Sequence, residues 1–270
     1  MEKQLKISIV TVSYNAARTI EQTICSVINQ TYSNIEYIII DGGSTDGTVD
    51  IIKKYEDRIA YWVSEPDGGM YEALTKGFKR VTGDIVAYIN ADDFYQPNVF
   101  HIVSEVFSNN ADVKWIVGLN AHYNIHGNIV QAWLPCRYKR GLIRKGAYLG
   151  KLLPWIQQES TFWRVELLDL IDYDELSRFK YAGDYYIWQK FSTSNNLYVL
   201  SALISGFRIS AGQLSSNLDA YYKECSEMGM SALGIVDYLH VLYERLFYLL
   251  PFAKRDDVIK YDFLNDVWHK

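Results

Sequence analysis

The stretch IVAYINADDFY, residues 85–95, joins an apolar run to a cluster of polar side chains. The five apolar residues from Ile85 to Ile89 predict a buried strand. The run ends in Asn90 and in the carboxylates Asp92 and Asp93, with no basic residue nearby in the sequence. Because burying an uncompensated carboxylate is costly, we expect a cationic group to meet these acids in the folded protein.

Similar apolar runs alternate with helical patterns on both sides of this stretch over the first 120 residues. Strands are predicted at 7–13, 35–40, 59–64 and 85–89, and helices at 17–30, 48–56, 70–81 and 98–108. Strands that recur every 20 to 30 residues with helices between them are typical of βαβ units. The sequence therefore predicts an α/β fold with a mostly parallel sheet flanked by helices.

A polar cluster follows each of the four predicted strands. The clusters are SYNAART, DGGSTDGT, EPDGGMYE and NADD. Ligands of such sheets bind at the carboxyl ends of the strands, where the strand order switches. We therefore expect these clusters to form the active site at one edge of the sheet.

The alternation stops after residue 110. Residues 115–134 predict antiparallel strands that turn at His126-Gly127-Asn128, and a helix is predicted near 183–192. The tail from 217 onward is predicted to be helical, because its apolar residues fall on one stripe: Ile235, Leu239, Leu242, Leu246 and Leu249. We place a domain boundary at 215, with the first domain at 1–215 and a C-terminal helical appendage at 216–270.

The overall composition excludes some classes of function. A net charge of −5 gives no basic field for nucleic acid, so no nucleic-acid partner is expected. The three cysteines are far apart and form no CxxC pair, which is typical of a reducing compartment. The N-terminus has no long apolar signal region, and no charge-free apolar stretch reaches 18 residues. The sequence thus favours a cytoplasmic protein without a spanning helix.

The acids after the strands have two alternative interpretations each. Asp92 and Asp93 suit a hard divalent ion, Mg²⁺ or Mn²⁺, whose remaining ligands come from water and substrate phosphates. The alternative is that Asp92 caps a turn and Asp93 is solvated. Asp41 can accept from a nucleotide base or from ribose hydroxyls, or it can form an Asx-turn. The GxGxxG pattern of dinucleotide-binding proteins and the lysine signature of a P-loop are both absent.

Residues 5–100, from ISIVTVSYNAARTI through EPDGGMYEALTKGF to AYINADDFY, resemble the family 2 glycosyltransferases of the GT-A (Rossmann-like) fold. These are inverting enzymes of bacterial surface polysaccharide assembly. The resemblance continues more weakly through QQESTFWR (157–164) and YAGDYYIWQK (181–190). It implies transfer of a hexosyl or N-acetylhexosaminyl group from a nucleotide diphosphate-sugar, most often a UDP-sugar, to a hydroxyl of a glycan or lipid-linked acceptor.

The resemblance also implies roles for individual residues on the donor side. Contacts to the nucleotide and donor are implied for Thr11, Tyr14, Asp41, Asp67, Lys76, Asn90 and Ala91. NADD stands at the family's DxD motif, with Asn90 in place of the first acid. Asp92, with Asp93 beside it, is therefore the implied ligand of Mn²⁺ or Mg²⁺. The metal would offset the charge that develops on the departing nucleoside diphosphate.

On the acceptor side, the resemblance assigns the general base to Asp184, whose alternative role is the N-cap of its helix. Glu159 is an acceptor-side residue in this scheme, or else a structural hydrogen-bond partner. The other functions that remain open are a nucleotidyltransferase and a non-catalytic nucleotide-sugar binding module. The C-terminal helices could pack on the core, form a homodimer or contact the inner face of the membrane peripherally.

Overall fold

The computed structural model describes residues 4–209, 213, 217–248 and 255–270 of the 270-residue chain. Its strands are β1 (Ile7–Ser13), β2 (Ile35–Asp41), β3 (Tyr61–Ser64), β4 (Ile85–Asn90), β5 (Phe94–Tyr95), β6 (Trp115–Val117), β7 (Asn120–Tyr123), β8 (Ile129–Trp133), β9 (Thr161–Arg164), β10 (Leu197–Leu200), β11 (Ser205–Arg208), β12 (Val258–Asp262) and β13 (Val267–His269). Its α-helices are α1 (Ile20–Ile28), α2 (Thr48–Lys53), α3 (Met70–Phe78), α4 (Val99–Asn109), α5 (Arg140–Arg144), α6 (Tyr173–Leu176), α7 (Gly183–Phe191), α8 (Leu218–Glu227) and α9 (Ile235–Tyr248).

The main sheet has the strand order β3-β2-β1-β4-β9-β6-β10-β12-β13. Strands β3, β2, β1 and β4 run parallel, as do β6, β10 and β12. Strand β9 lies antiparallel between β4 and β6, and β13 is antiparallel at the edge. The predicted mixed, mostly parallel sheet is confirmed.

The core lies on both faces of this sheet because the central strands are apolar on both sides. Side chains of β1 alternate between the two faces, with Val10 on one and Ile9 on the other. Helices α3 and α7 cover the first face, and α1 and α4 cover the second. Fully burying one such aliphatic side chain contributes about 1.5–3 kcal/mol. The strand ends are thereby held in a fixed frame, from which the connecting loops project.

A smaller sheet with the order β5-β11-β7-β8 lies beside the loop that follows β4. Strands β7 and β8 pair antiparallel around residues 124–128, which confirms the predicted hairpin. Strand β5 begins directly after Asp93 and pairs with β11. This pairing brings residues near 208 to the acids of the NADD segment, although more than 100 positions separate them in sequence.

The predicted helical character of the tail is wrong for its last residues. Helices α8 and α9 are present, but β12 and β13 form a hairpin that extends the main sheet beyond β10. Val258 and Ile259 are buried in it, and pairing with β10 satisfies a strand edge that would otherwise be open. Leu249 of the predicted stripe lies outside the described residues. The boundary at 215 stays a prediction.

Within the described ranges, no helix is both long enough and apolar enough to cross a membrane.

Candidate active site

The carboxyl ends of β1, β2, β3 and β4 meet at one edge of the main sheet. The strand register places Ser13 beside Asp41 and Asp41 beside Ser64, while Asn90 lies beside Val12. Four polar clusters that are far apart in sequence are therefore neighbours at this edge, as the order of strands and helices predicts. The edge is the candidate active site.

Asp41 at the end of β2 is fully buried and accepts five hydrogen bonds. Its Oδ1 accepts from the hydroxyls of Ser13 and Ser44, at 2.8 and 2.6 Å. Its Oδ2 accepts from the hydroxyl of Ser64 at 2.7 Å and from the backbone N–H groups of Gly43 and Ser44. Burial alone would raise the pKa of Asp41, but these bonds outweigh it and lower that pKa. The structure thus shows the Asx-turn, which fixes the loop after β2.

Asp67, in the loop after β3, lies against the backbone of Gly42. A Cβ on Gly42 would come within 3.1 Å of both carboxylate oxygens of Asp67, so a side chain there would have to displace Asp67 by a few tenths of an ångström. Oδ1 accepts from the Gly69 N–H at 2.9 Å, and the buried Oδ2 has no partner among the described residues. Burial raises the pKa of Asp67. Oδ2 therefore has an unused capacity to accept a hydrogen bond.

The remaining donor-side residues of the loops differ in their accessibility. Tyr14 directly follows β1 and is 67% exposed at the edge. Thr11 is fully buried within β1, with its hydroxyl 3.1 Å from that of Tyr37. Lys76 on α3 pairs with Glu65 and Glu72, at 2.9 and 3.4 Å. Tyr14 is therefore placed to contact a ligand directly, and Thr11 is placed in the core.

The NADD segment presents different groups to the edge and to the interior. Asn90 approaches Gln158 only at 3.5 Å, and its buried Oδ1 has no partner in the described part of the chain. Ala91 is buried, and its carbonyl accepts from the Thr23 hydroxyl at 3.0 Å. Asp92 is partly exposed, and its Oδ2 accepts from the Gln213 side chain at 2.8 Å. Asn90 and Asp92 therefore form the polar surface of this segment.

Asp93 turns into the protein and is fully buried. Its Oδ1 accepts from the backbone N–H of Arg208 at 2.8 Å. Burial raises the pKa of Asp93 well above its usual value, as do the charges of Glu159 and Asp92, whereas Arg208 lowers it. The positive charge of Arg208, which comes from β11, acts on Asp93 from a distance, because its guanidinium donates to the Gln22 side chain instead of to a carboxylate. The structure thus gives Asp93 a structural environment and leaves Asp92 nearer the surface.

The residues present fit a metal ion that is shared with a diphosphate. No group of three or more His, Cys, Asp or Glu gathers as a metal site among the described residues. Mg²⁺ needs only one or two protein carboxylates when phosphates and water complete its shell. Asp92 offers such a carboxylate, and the unpartnered Oδ1 of Asn90 lies two residues away.

Asp184 is the second residue of α7 and is surrounded by tyrosines. Its Oδ1 accepts from the Tyr185 N–H at 2.7 Å and from the Tyr221 hydroxyl at 3.2 Å. A Cβ on Gly183 would come within 2.5 Å of the Tyr71 ring, so the glycine lets Tyr71 lie against the start of the helix. Burial raises the pKa of Asp184 to about 6, although hydrogen bonds from these groups oppose the rise.

The N-cap of α7 is Ala182, so the alternative role of Asp184 as N-cap is wrong. The carboxylate of Glu224 on α8 accepts from the free N–H groups before the helix instead. These are the backbone N–H groups of Lys180, Tyr181 and Ala182, at 2.8–2.9 Å. Asp184 lies in the first turn of α7, where the helix N-terminus favours its ionised form.

Glu159 lies in a 3-10 turn directly before β9 and is buried. The side-chain amide of Gln157 donates to its carboxylate. Burial raises the pKa of Glu159 to about 8, and the charges of Asp92 and Asp184 raise it further. The charges of both the implied metal ligand and the implied base therefore act on Glu159.

Sequence reasoning missed several residues of this site. Tyr71 lies within EPDGGMYE, so its position next to that polar cluster was an available signal. Tyr221 and Arg208 are distant in sequence from the acids that they contact, and no local pattern marks them.

The family model described as "Glycosyl transferase family 2" matches residues 8–146, which contain the four strand ends described above. The chain belongs to this family. The match covers the donor side of the edge, and Glu159 and Asp184 lie beyond it.

Among curated proteins, this family 2 chain is similar to the Escherichia coli protein "UDP-Glc:alpha-D-GlcNAc-diphosphoundecaprenol beta-1,3-glucosyltransferase WfgD". The two are 26% identical over 250 residues, which is 91% of each chain. The present chain is also 33% identical over 141 residues to "Uncharacterized glycosyltransferase MT1564" of Mycobacterium tuberculosis. This match covers 52% of the present chain and 54% of that protein. The chain thus spans about half the length of that relative.

Two solved structures share the fold at low sequence identity. One is S. aureus TarS 1-349 in complex with UDP-GlcNAc, with a TM-score of 0.63 and 16% identity, covering 92% of this chain and 74% of that one. The other is the mannosyltransferase PcManGT of Pyrobaculum calidifontis in complex with GDP-Man and Mn²⁺, with a TM-score of 0.57 and 15% identity, covering 93% of this chain and 71% of that one. The predicted GT-A fold is confirmed.

Proposed function

We propose that this protein is a metal-dependent inverting glycosyltransferase. It would move a sugar from a nucleotide diphosphate-sugar, with a UDP-sugar as the first candidate, to a hydroxyl of a glycan or lipid-linked acceptor in surface polysaccharide assembly. The observation that carries this proposal is the convergence of the sheet edge with the residues around Glu159 and Asp184: Asn90 contacts Gln158 next to Glu159, and Tyr71, from the cluster after β3, lies against the start of α7. The charges of Asp92 and Asp184 both act on Glu159.

Asp184 is the proposed general base. A carboxylate with a pKa of about 6 is ionised near neutral pH. It cannot remove a proton from a free hydroxyl, whose pKa is near water's ~15.7. Asp184 therefore takes the proton while the acceptor oxygen bonds to the anomeric carbon and the bond to the diphosphate oxygen breaks. One displacement of this kind inverts the anomeric centre, and such a base contributes ~10²–10⁴ in rate.

The donor side is proposed to use the groups that the structure leaves accessible or unpartnered. Tyr14 would contact the base, and the free Oδ2 of Asp67 would accept from ribose. Asp92, with Asn90, would hold Mn²⁺ or Mg²⁺, which offsets negative charge on the diphosphate. Lys76 would exchange Glu65 or Glu72 for a phosphate.

Four residues predicted on the donor side, Thr11, Asp41, Ala91 and Asp93, are proposed to act through the shape of the site. Asp41 fixes the loop after β2, and Thr11 and Ala91 lie in the core. Asp93 joins the NADD segment to β11. Their hydrogen bonds and burial support a positioning role more than a contact with donor or metal.

Glu159 is proposed to face the acceptor in its neutral form, because its pKa of about 8 keeps it protonated near pH 7. A neutral carboxyl can donate a hydrogen bond to a sugar oxygen. Support for a lipid-linked acceptor comes from the printed activity of WfgD, which matches this chain over 91% of both lengths.

The test is a thermal-shift panel of UDP, GDP, TDP and CDP, each with and without Mn²⁺. A ligand at 100 times its Kd raises the free energy of unfolding by about 2.7 kcal/mol. We expect stabilisation by one diphosphate that depends on Mn²⁺ and is lost in Asp92→Asn. The control is Asp169→Asn, at an exposed acid in the 3-10 turn Val165–Leu170.

No response of the parent protein to any diphosphate contradicts the proposal. Diphosphate binding without donor hydrolysis or transfer would instead indicate a non-catalytic binding module.

A further inference from the structure

Helix α9 is amphipathic with its apolar side turned away from the protein. Ile235, Leu239, Leu242 and Leu246 lie on one side of the helix, at spacings of three and four residues. Each of them is between 53% and 82% exposed. These four residues are called the α9 face below. A four-residue aliphatic stripe in water is unfavourable, so a partner is expected to cover it.

The opposite side of α9 holds the helix on the protein through one buried and one partly exposed ion pair. Glu244 is buried and accepts two hydrogen bonds of 2.8 Å from the Arg137 guanidinium. Asp237 pairs with Lys145 at 2.7 Å. These are the two acids of α9, and both are neutralised on its inner side. The helix is therefore oriented by its polar contacts, and the α9 face carries no negative charge.

The segment on which α9 lies is basic. Residues 136–158 contain no acid, and four of their basic side chains are exposed: Lys139, Arg140, Arg144 and Lys151. Within the described ranges, none of these four forms an ion pair. Arg245 of α9 donates to the carbonyls of Lys151 and Leu152, so the helix and this basic segment are in direct contact. The segment that α9 contacts thus carries exposed basic side chains.

This charge decides between two ways of covering the α9 face. In a two-fold symmetric dimer, the same surface of each copy meets the other, so the two basic segments would be brought together and repel. An anionic bilayer surface instead attracts each nearby Lys or Arg. Tyr238 and Tyr243, both 53% exposed, are of the type that prefers the headgroup region. We propose that the α9 face docks on an anionic lipid bilayer, with the helix lying in the interface.

The docking surface is connected to the candidate active site through α8. Tyr221 of α8 donates to Asp184, and Glu224 of α8 holds the backbone before α7. Lys151 joins α8 to α9, because its ammonium lies 3.7 Å from the centroid of the Tyr222 ring on α8 and its carbonyl accepts from Arg245 of α9. The inference does not depend on the proposed reaction, because lipid binding is measured without a donor.

The experiment is co-sedimentation of the full chain with vesicles of phosphatidylcholine alone or of phosphatidylcholine with phosphatidylglycerol. We expect binding to the anionic vesicles and little binding to the neutral ones. Leu239→Ser/Leu242→Ser should lower the partition by about tenfold or more, since buried aliphatic area is lost. The matched control is Phe263→Ser/Leu264→Ser, at two apolar residues that are 89% and 94% exposed in the β12–β13 hairpin. This control should bind like the parent.

A second variant tests the charge without changing any apolar residue. Arg140→Gln/Arg144→Gln should weaken binding to the anionic vesicles by roughly tenfold. Circular dichroism and light scattering of every variant show whether it is folded and monomeric. Equal binding to both kinds of vesicle, no binding to either, or a dimer that Leu239→Ser/Leu242→Ser dissociates would each overturn the proposal.

Discussion

Asp41 is fully buried and Asp184 is partly buried, and the pKa values of these two carboxyls of the candidate site shift in opposite directions. Asp41 is surrounded by three serine hydroxyls and two backbone N–H groups, and its pKa is lowered. Asp184 accepts from one backbone N–H and one tyrosine hydroxyl, and burial raises its pKa to about 6. The number of hydrogen-bond donors decides whether the pKa is lowered by the donors or raised by burial.

This difference separates an acid that holds a loop from an acid that can exchange a proton. Every donor around Asp41 favours its charged form, so it stays ionised through the ordinary pH range. A carboxyl with a pKa near 6 gives up and regains a proton close to neutrality, as general bases do. Four substitutions test this contrast.

The largest effect is expected for Asp184→Asn. If Asp184 is the base, kcat should fall by ~10²–10⁴ with little change in donor binding, because the amide cannot accept the proton. The free energy of unfolding at pH 7 should not fall, since the variant removes a buried charge. Single-turnover kinetics measures the loss of rate, and calorimetric titration with the donor measures the affinity for the donor.

Asp219→Asn is the control for this variant, because Asp219 is the exposed second residue of α8. Turnover of Asp184→Asn at the parental rate would show that the assignment of the base is wrong.

Asp41→Asn should act mainly on stability. The new amide would face hydroxyl and N–H donors, and unsatisfied buried groups cost about 1–3 kcal/mol. Chemical denaturation measures the loss. Since the pKa of Asp41 is lowered from 3.8, its stabilising contribution is present above that pH and is lost as the pH falls through the folded value.

Asp46→Asn provides the matched comparison, because Asp46 is an exposed acid of the same loop. An equal loss of stability in both variants would contradict the special role of the buried donors around Asp41.

Tyr221→Phe should raise the pKa of Asp184, because the Tyr221 hydroxyl stabilises the ionised carboxylate. A hydrogen bond to a charged group contributes about 1.5–3 kcal/mol, which corresponds to a rise of about 1–2 pKa units. The acid limb of the pH–rate profile, expected near pH 6 in the parent, should move up by that amount.

Tyr222→Phe serves as the control, because the Tyr222 hydroxyl donates to the Leu149 carbonyl at 3.1 Å. An unshifted acid limb in Tyr221→Phe would mean that the hydrogen bond does not set the ionisation of the base.

Glu159→Gln is expected to change only the pH dependence of stability, measured in the absence of donor and metal. The pKa of Glu159 rises from 4.5 to about 8 on folding, so the folded chain keeps a proton that the unfolded chain loses between these values. The free energy of unfolding should therefore fall as pH rises through this range, by no more than about 1.4 kcal/mol per unit.

Denaturation across this pH range should show a flatter curve for Glu159→Gln than for the parent. Glu227→Gln, at an exposed acid of α8, should retain the parental slope. Identical curves for parent and Glu159→Gln would indicate that Glu159 does not keep its proton in the folded state.

The sequence alone determined the order of strands and helices in the first half of the chain. It also determined that four polar clusters share one sheet edge, because the carboxyl ends of parallel strands point the same way. Period-2 and period-3.6 patterns are local, so they can be read without knowing the fold. The apolar stripe of α9 could be read from the sequence in the same way. Whether the stripe faces the core or the solvent could not.

Only the tertiary structure decided which groups each acid meets. Arg208 reaches Asp93, and Tyr221 reaches Asp184, across separations of 115 and 37 residues. The same holds for the hairpin of β12 and β13, whose pairing with β10 overrides the helical prediction for the tail. Ionisation and strand pairing depend on neighbours brought together by folding, and no local pattern in the chain encodes them.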